Sequence, residues 1–192
     1  MKNLLIILCF LFSSCVAESR KPHIDLMAGT RDFNCDGVWE QTDSQAALGV
    51  QIDYAGKNDV GPEFAFISSN DLSKDDVYVN RSVSFTKSRI EELSMGVRKS
   101  FDLGNSFQAF LSGGLSVMDL RTTAGLTASD PRSDTSKAIT PYAQAGLNYF
   151  LDSHYSCGIM YRRTFLGSNE DIFINEPPTD SNLFMFTIGY SF

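Results

Sequence analysis

Residues Asn182 to Phe192 read N-L-F-M-F-T-I-G-Y-S-F, and their character alternates with a period of two. Phe184, Phe186, Ile188, Tyr190 and Phe192 fall on one face; Leu183, Met185, Thr187, Gly189 and Ser191 fall on the other. A period of two is that of a β-strand, whose successive side chains point to opposite sides. Eleven such residues suffice to cross a bilayer at a tilt, for which about 9–11 are needed. Five large apolar groups on one face require an apolar solvent, and no later segment follows Phe192 to cover them. Lipid is the simplest such solvent, so a membrane-spanning strand is expected here.

The start of the chain points to export. Lys2 precedes an apolar run from Leu4 to Phe12, then small residues and Cys15-Val16-Ala17. A charged n-region, a short h-region and a small residue at the cleavage point predict a signal peptide over residues 1–17 and a mature domain over 18–192. A lipoprotein, acylated on Cys15, is the alternative. Without Lys2 the mature chain carries a formal charge of −8 rather than −7. That acidity argues against nucleic acid as a partner, because phosphate contacts need Lys and Arg.

The same alternation recurs along the chain. It predicts strands over 23–31, 45–54, 63–67, 92–101, 107–117, 139–149, 155–165 and 182–192, with a hairpin of Val77-Tyr78-Val79 and Val83-Ser84-Phe85 projecting beyond the membrane. Short turns at Gly56-Lys57-Asn58-Asp59, Asp102-Leu103-Gly104-Asn105 and Leu151-Asp152-Ser153-His154 alternate with long polar connections, one of which runs to Lys137. Eight strands with alternating short and long connections predict an all-β, eight-stranded antiparallel up-and-down transmembrane β-barrel. An even strand count puts both chain ends on the periplasmic side.

On the faces opposite the apolar ones lie Asp25, Arg31, Gln51, Asp53, Glu63, Glu92, Arg98, Gln108, Gln144 and Arg162. An eight-stranded barrel is just wide enough for its own side chains to fill it. Charges placed there are desolvated and need partners. A paired network centred on Arg98 and Arg162 with Glu92, Glu63 and Asp53 is therefore expected, acting as the core of the barrel. A narrow gated ion path through inward Gly and Ser positions is the functional alternative. Tyr54, Phe101, Phe107, Tyr149, Tyr155, Tyr190 and Phe192 sit at strand ends beside the short turns, where an interfacial aromatic girdle belongs.

Together these features resemble the small eight-stranded bacterial outer-membrane barrels, the class of the OmpA membrane domain, OmpX and the opacity-type proteins. The resemblance covers about His23 to Phe192 and rests on topology, inward polar residues and the terminal strand. It implies residence in the outer membrane among lipid and lipopolysaccharide. The terminal aromatic also resembles the signal through which such strands meet the barrel assembly machinery. The implied roles are envelope integrity, adhesion or resistance to host defence, without catalysis, and no peptidoglycan-binding domain follows the barrel.

Two other readings compete. His154-Tyr155-Ser156 resembles the His-x-Ser of outer-membrane lipid A deacylases, but Cys157-Gly158 follows where that family usually carries Asn, and the pair would face inward by a periplasmic turn. Gly37-Val38-Trp39-Glu40 resembles the Gly-x-Trp signature of lipocalins, soluble binding barrels with a late helix and an apolar interior, neither of which is expected here. No metal motif, no cofactor loop and no Gly-x-Ser-x-Gly is present. A Cys35–Cys157 disulfide is not expected, since the two would lie a barrel height apart. Loop one (Asp32, Asp36, Glu40, Asp43) and loop four (Glu170, Asp171, Glu176, Asp180) form an acidic rim. It is expected to be a solvated surface; a surface protein of basic character or a divalent cation is its alternative partner.

Overall fold

The computed structural model describes residues 21–33, 44–71, 77–79, 82–125, 132–165 and 180–192. Among the described residues nine strands follow one another: β1 His23–Phe33, β2 Ser44–Asp53, β3 Val60–Asp71, β4 Val77–Val79, β5 Ser82–Gly104, β6 Phe107–Gly125, β7 Arg132–Phe150, β8 Tyr155–Phe165 and β9 Asp180–Ser191. All pair antiparallel, in the order β3-β2-β1-β9-β8-β7-β6-β5-β4, and a further β3–β5 ladder closes the ring. Eight strands therefore make a closed up-and-down barrel. The ninth, β4, is a hairpin arm on the start of β5, with Val77↔Ser84 and Val79↔Ser82 as partners. The first and last strands meet in a seam that runs from His23↔Ser191 to Phe33↔Ser181.

Alternation sets the two faces. Leu26, Phe186 and Ile188 point outward and are 65%, 62% and 68% exposed, while their neighbours Met27, Met185 and Thr187 are buried. Phe107–Tyr149, Tyr155–Tyr190 and Tyr190–Phe192 form ring pairs with centroids 4.9, 5.3 and 5.0 Å apart, all beside the short turns. An apolar outer band ending in aromatic rings is the exterior of a transmembrane barrel.

The short turns are tied together. Asn58, Asn105 and Ser106 adopt positive φ, as does Gly104 at 77°, where a glycine is the least strained choice. Asn58 Oδ1 accepts the Asp102 N–H at 2.9 Å, so the β2–β3 and β5–β6 turns support each other. Asp152 Oδ1 accepts the N–H groups of His154 and Tyr155 at 2.7 and 2.8 Å.

The barrel is taller on one side than alternation implies. The polar stretch from 118 towards Lys137 was expected as a loop, yet β6 runs to Gly125 and β7 starts at Arg132, with Met118↔Ala138 and Ala124↔Arg132 in register. Likewise β5 starts at Ser82. The ladder between β7 and β8 stops at Tyr142↔Thr164. Beyond it, ten residues of β7, roughly 30 Å of strand, continue beside β6. Polar side chains such as Asp119, Arg121 and Lys137 interrupt the apolar outer face there, and the backbone ladder carries the sheet on.

Two apolar layers divide the interior. Met27, Ala47, Ala65, Ile67, Phe110, Met160, Leu183 and Met185 form one. Ile90, Met118 and Leu120, with Phe33 packed on them, form a second towards the loop end.

Candidate functional site

Every charged residue expected inside the barrel is buried there, and His23 joins them; none is more than 8% exposed. Desolvated charges persist only with partners. The partnerships fall into two groups.

Towards the loop end, Glu92 lies between two arginines. Its Oε2 accepts from Arg31 Nη2, and its Oε1 accepts from Arg162 Nη2 at 2.5 Å and from the Ser116 hydroxyl at 2.8 Å. The Arg162 guanidinium lies 3.7 Å from the centroid of the Tyr142 ring. Tyr142 donates its hydroxyl to Glu63 Oε1 at 3.0 Å. Gln144 Nε2 donates to Gln51 Oε1 at 3.0 Å and to Glu63 Oε2 at 3.5 Å. Glu63 is thus held by neutral donors and makes no ion pair among the described residues.

Towards the turn end, Arg98 is the one buried cation of fixed charge among the described residues. Its Nη1 donates to Asp53 Oδ2 at 2.6 Å and stands 3.8 Å from Asp25 Oδ2, and its guanidinium lies 3.5 Å from the Phe110 centroid. His23 Nε2 is 3.0 Å from Asp25 Oδ1, and its Nδ1 is 2.7 Å from the Ser191 hydroxyl. The Ser156 hydroxyl lies 3.4 Å from His23 Nε2. The register His23↔Asp53 brings the imidazole and the second carboxylate onto adjacent strands. This group opens into a cavity of about 1070 Å³ at the turn end, lined in part by His23, Asp53, Asp59, Asp102 and Asp152. The Gly104 N–H, and then the Lys57 ammonium, hold the exposed Asp102 carboxyl below the usual range. The N–H groups of Tyr155 and His154 do the same for Asp152.

The five residues expected to form one network are accordingly divided: Arg98 with Asp53, Arg162 with Glu92, and Glu63 against Tyr142 and Gln144. The Arg31–Glu92 pair, the Tyr142 hydroxyl, Ser116 and His23 were not singled out from the sequence. Parity marks each of them as inward, but only the register shows which of them meet.

The structure sets His154 and Ser156 on different partners, the Ser156 hydroxyl lying beside His23, and His154 does not face inward as expected. Its ring is exposed and stacks on the outward Tyr190 at 5.7 Å, with Nδ1 3.0 Å from the Ser191 carbonyl. Cys157 is a free thiol on the outer face. Of the acidic rim, Asp180 pairs with Arg163 at 2.5 Å. Asp36, Glu40, Asp43, Glu170, Asp171 and Glu176 lie outside the described residues, as do Cys35, Trp39 and the signal segment 1–17.

A closed antiparallel barrel of eight strands, apolar outside and ionic inside, defines a transmembrane barrel of the outer-membrane kind. Residues 4–192 match the outer membrane protein β-barrel domain family, and the chain belongs to it. No curated protein sequence matches it. Among solved structures, Neisserial surface protein A is similar over 90% of this chain and 96% of its own, at 10% identity and a TM-score of 0.62. OprG from Pseudomonas aeruginosa is similar over 91% and 97%, at 13% identity and a TM-score of 0.57. Ail, the attachment invasion locus protein of Yersinia pestis, is similar over 90% and 97%, at 10% identity and a TM-score of 0.55. At such identities the likeness is one of fold.

Proposed function

We propose that this outer-membrane barrel is neither a channel nor an enzyme, and that it acts at the cell surface through the sheet that rises from its rim. The carrying observation is the difference in strand length: β5 has 23 residues and β6 and β7 have 19 each, against 11 in β1 and β8. A bilayer needs about 9–11 residues per strand, so the surplus on three consecutive strands serves something other than crossing. The ion-paired interior supports the absence of a conducting path, and the separation of His154 from Ser156 supports the absence of a deacylase site. In this reading the signal over 1–17 is removed and both ends of the barrel lie in the periplasm. Lipid and lipopolysaccharide surround the outer band, and the barrel assembly machinery receives β9.

The test trims the sheet. Replacing residues 120–136 by a tight turn removes matched β6–β7 pairs and leaves the lower ladders intact. The trimmed protein should still reach the outer membrane as a folded barrel, while attachment of cells displaying it to host-cell monolayers should fall to the level of barrel-free cells. Unchanged attachment, or a steady porin-sized current from the wild type in planar bilayers, would overturn the proposal.

A further inference from the structure

We propose that His23, Asp25 and Asp53 form a site for a divalent transition-metal ion at the turn-end mouth of the barrel, with the Ser156 hydroxyl beside it. One ion there ties β1 and β2 to β8 across the closing seam. The potential ligand atoms of His23, Asp25 and Asp53 all lie within 4.8 Å of one another. Imidazole nitrogen with carboxylate oxygen is a donor set suited to zinc and its neighbours rather than to calcium or magnesium.

Spacing agrees with the chemistry. Two ligands about 2.1 Å from one ion and roughly 90–110° apart are separated by about 3.0–3.4 Å. His23 Nε2 lies 3.0 Å from Asp25 Oδ1 and 3.4 Å from the Ser156 hydroxyl.

The wall of the barrel is cut away at the same place. Gly189 on β9 stands opposite Asp25 on one side and Ser156 on the other. A Cβ on Gly189 would collide with Asp25 Oδ1, the Ser156 hydroxyl and His23 Nε2 together. Three donor atoms thus converge over the one residue that puts no side chain among them.

Charge gives the third argument. Asp25 and Asp53 set two buried carboxylates against the guanidinium of Arg98. With His23 neutral that cluster carries a charge of −1, which a bound cation offsets. Arg98 Nη1 engages Asp53 Oδ2 and leaves Asp25 Oδ1 turned towards His23. Access is open, because His23 and Asp53 line the mouth cavity, whose wall carries Asp59, Asp102 and Asp152 together with Lys21 and Lys57. A proton on His23 is the competing way to reduce the negative charge, and the experiment separates the two.

The full-length barrel, refolded in detergent micelles and freed of metal, is titrated with Zn²⁺ alone and, in parallel, with Co²⁺. One ion per chain is expected, together with Co²⁺ absorption bands of a site containing nitrogen and a rise in the unfolding midpoint. His23→Ala and Asp25→Asn should weaken binding at least tenfold, as loss of a ligand or its immediate support does. His154→Ala, in the same mouth but outside the cluster, should leave binding unchanged. Should His23→Ala fail to fold, the wild-type imidazole resonances decide: Zn²⁺ must abolish the proton titration of His23 and leave that of His154. Failure of the wild type to bind, loss of binding with His154→Ala alone, or a His23 titration indifferent to Zn²⁺ each overturns the proposal and leaves only a proton.

Discussion

Around Glu92, two guanidiniums and a serine share one carboxylate; around Arg98, two carboxylates, one of which also bonds an imidazole, share one guanidinium. The first group is shut between apolar layers, with Arg31, Glu92 and Arg162 fully buried. The second opens into the mouth cavity. An enclosed cluster has no water to fall back on, so each of its charges depends on a named partner. An open cluster can borrow a proton, an ion or solvent. Mutational sensitivity should therefore fall from the loop end of the interior to the turn end.

The largest effect is expected where that dependence is greatest. Glu92→Gln strands both Arg31 and Arg162 and should cost about 3–5 kcal/mol in urea unfolding from micelles, or prevent folding. Arg162→Met leaves Glu92 with Arg31 and should cost about 3 kcal/mol, at the lower edge of that range. Equal, small losses for both would show that water reaches the enclosed cluster. On the outer face, Ile188→Arg should cost about 2–4 kcal/mol through exposure of a cation to lipid. The inward neighbour Thr187, at 4% exposure against 68% for Ile188, provides the matched control for face. Asp25→Asn at the open end should cost about 1 kcal/mol, the net worth of an ordinary hydrogen bond, because Asp53 still neutralises Arg98. A loss as large as that of Glu92→Gln would erase the distinction between the two ends.

The smallest effect concerns the short turn between β7 and β8. The Asp152 carboxyl is held below its ordinary range by the N–H groups of Tyr155 and His154. A depressed folded value means that its contribution is present at neutral pH and is lost as pH falls below about 4 and through that value. Amide exchange at His154 and Tyr155, corrected for intrinsic rates, should quicken on acidification and match the rate in Asp152→Ala. Persistent protection at acid pH would show that the turn holds without its cap.

Within the membrane band the faces were legible because lipid outside and charge inside enforce alternation at every step, from Ile24 and Asp25 to Ile188 and Gly189. Residues 118–125 and 132–138 were not, because Asp119, Arg121 and Lys137 stand where a lipid-facing strand carries apolar side chains. The hairpin at 77–84 was visible through its Val-Tyr-Val and Val-Ser-Phe flanks. Membership of the interior could be read from parity, whereas partnership could not. Tyr142 meets Glu63 across 79 positions and Arg162 meets Glu92 across 70, and such meetings depend on how far each strand is staggered against the next. His23 and Asp25 share a face by their spacing of two, but Asp53 joins them only through the β1–β2 register.

The seam between β1 and β9 also bears on how the barrel comes together in time. Most other ladders join neighbours in the chain and can zip from a turn, whereas the seam joins residues up to 168 positions apart. Closing so long a loop is slow and comes late. The register leaves no slack, since a slip of one residue would turn every side chain of β9 to the wrong face. Until β9 docks, the barrel is an open sheet with two unpaired edges, the form most prone to pair with a second copy. The bond between His23 and Ser191 lies at the end of that seam and can form only once it has closed, so the imidazole resonance of His23 is a clock for the final event of assembly.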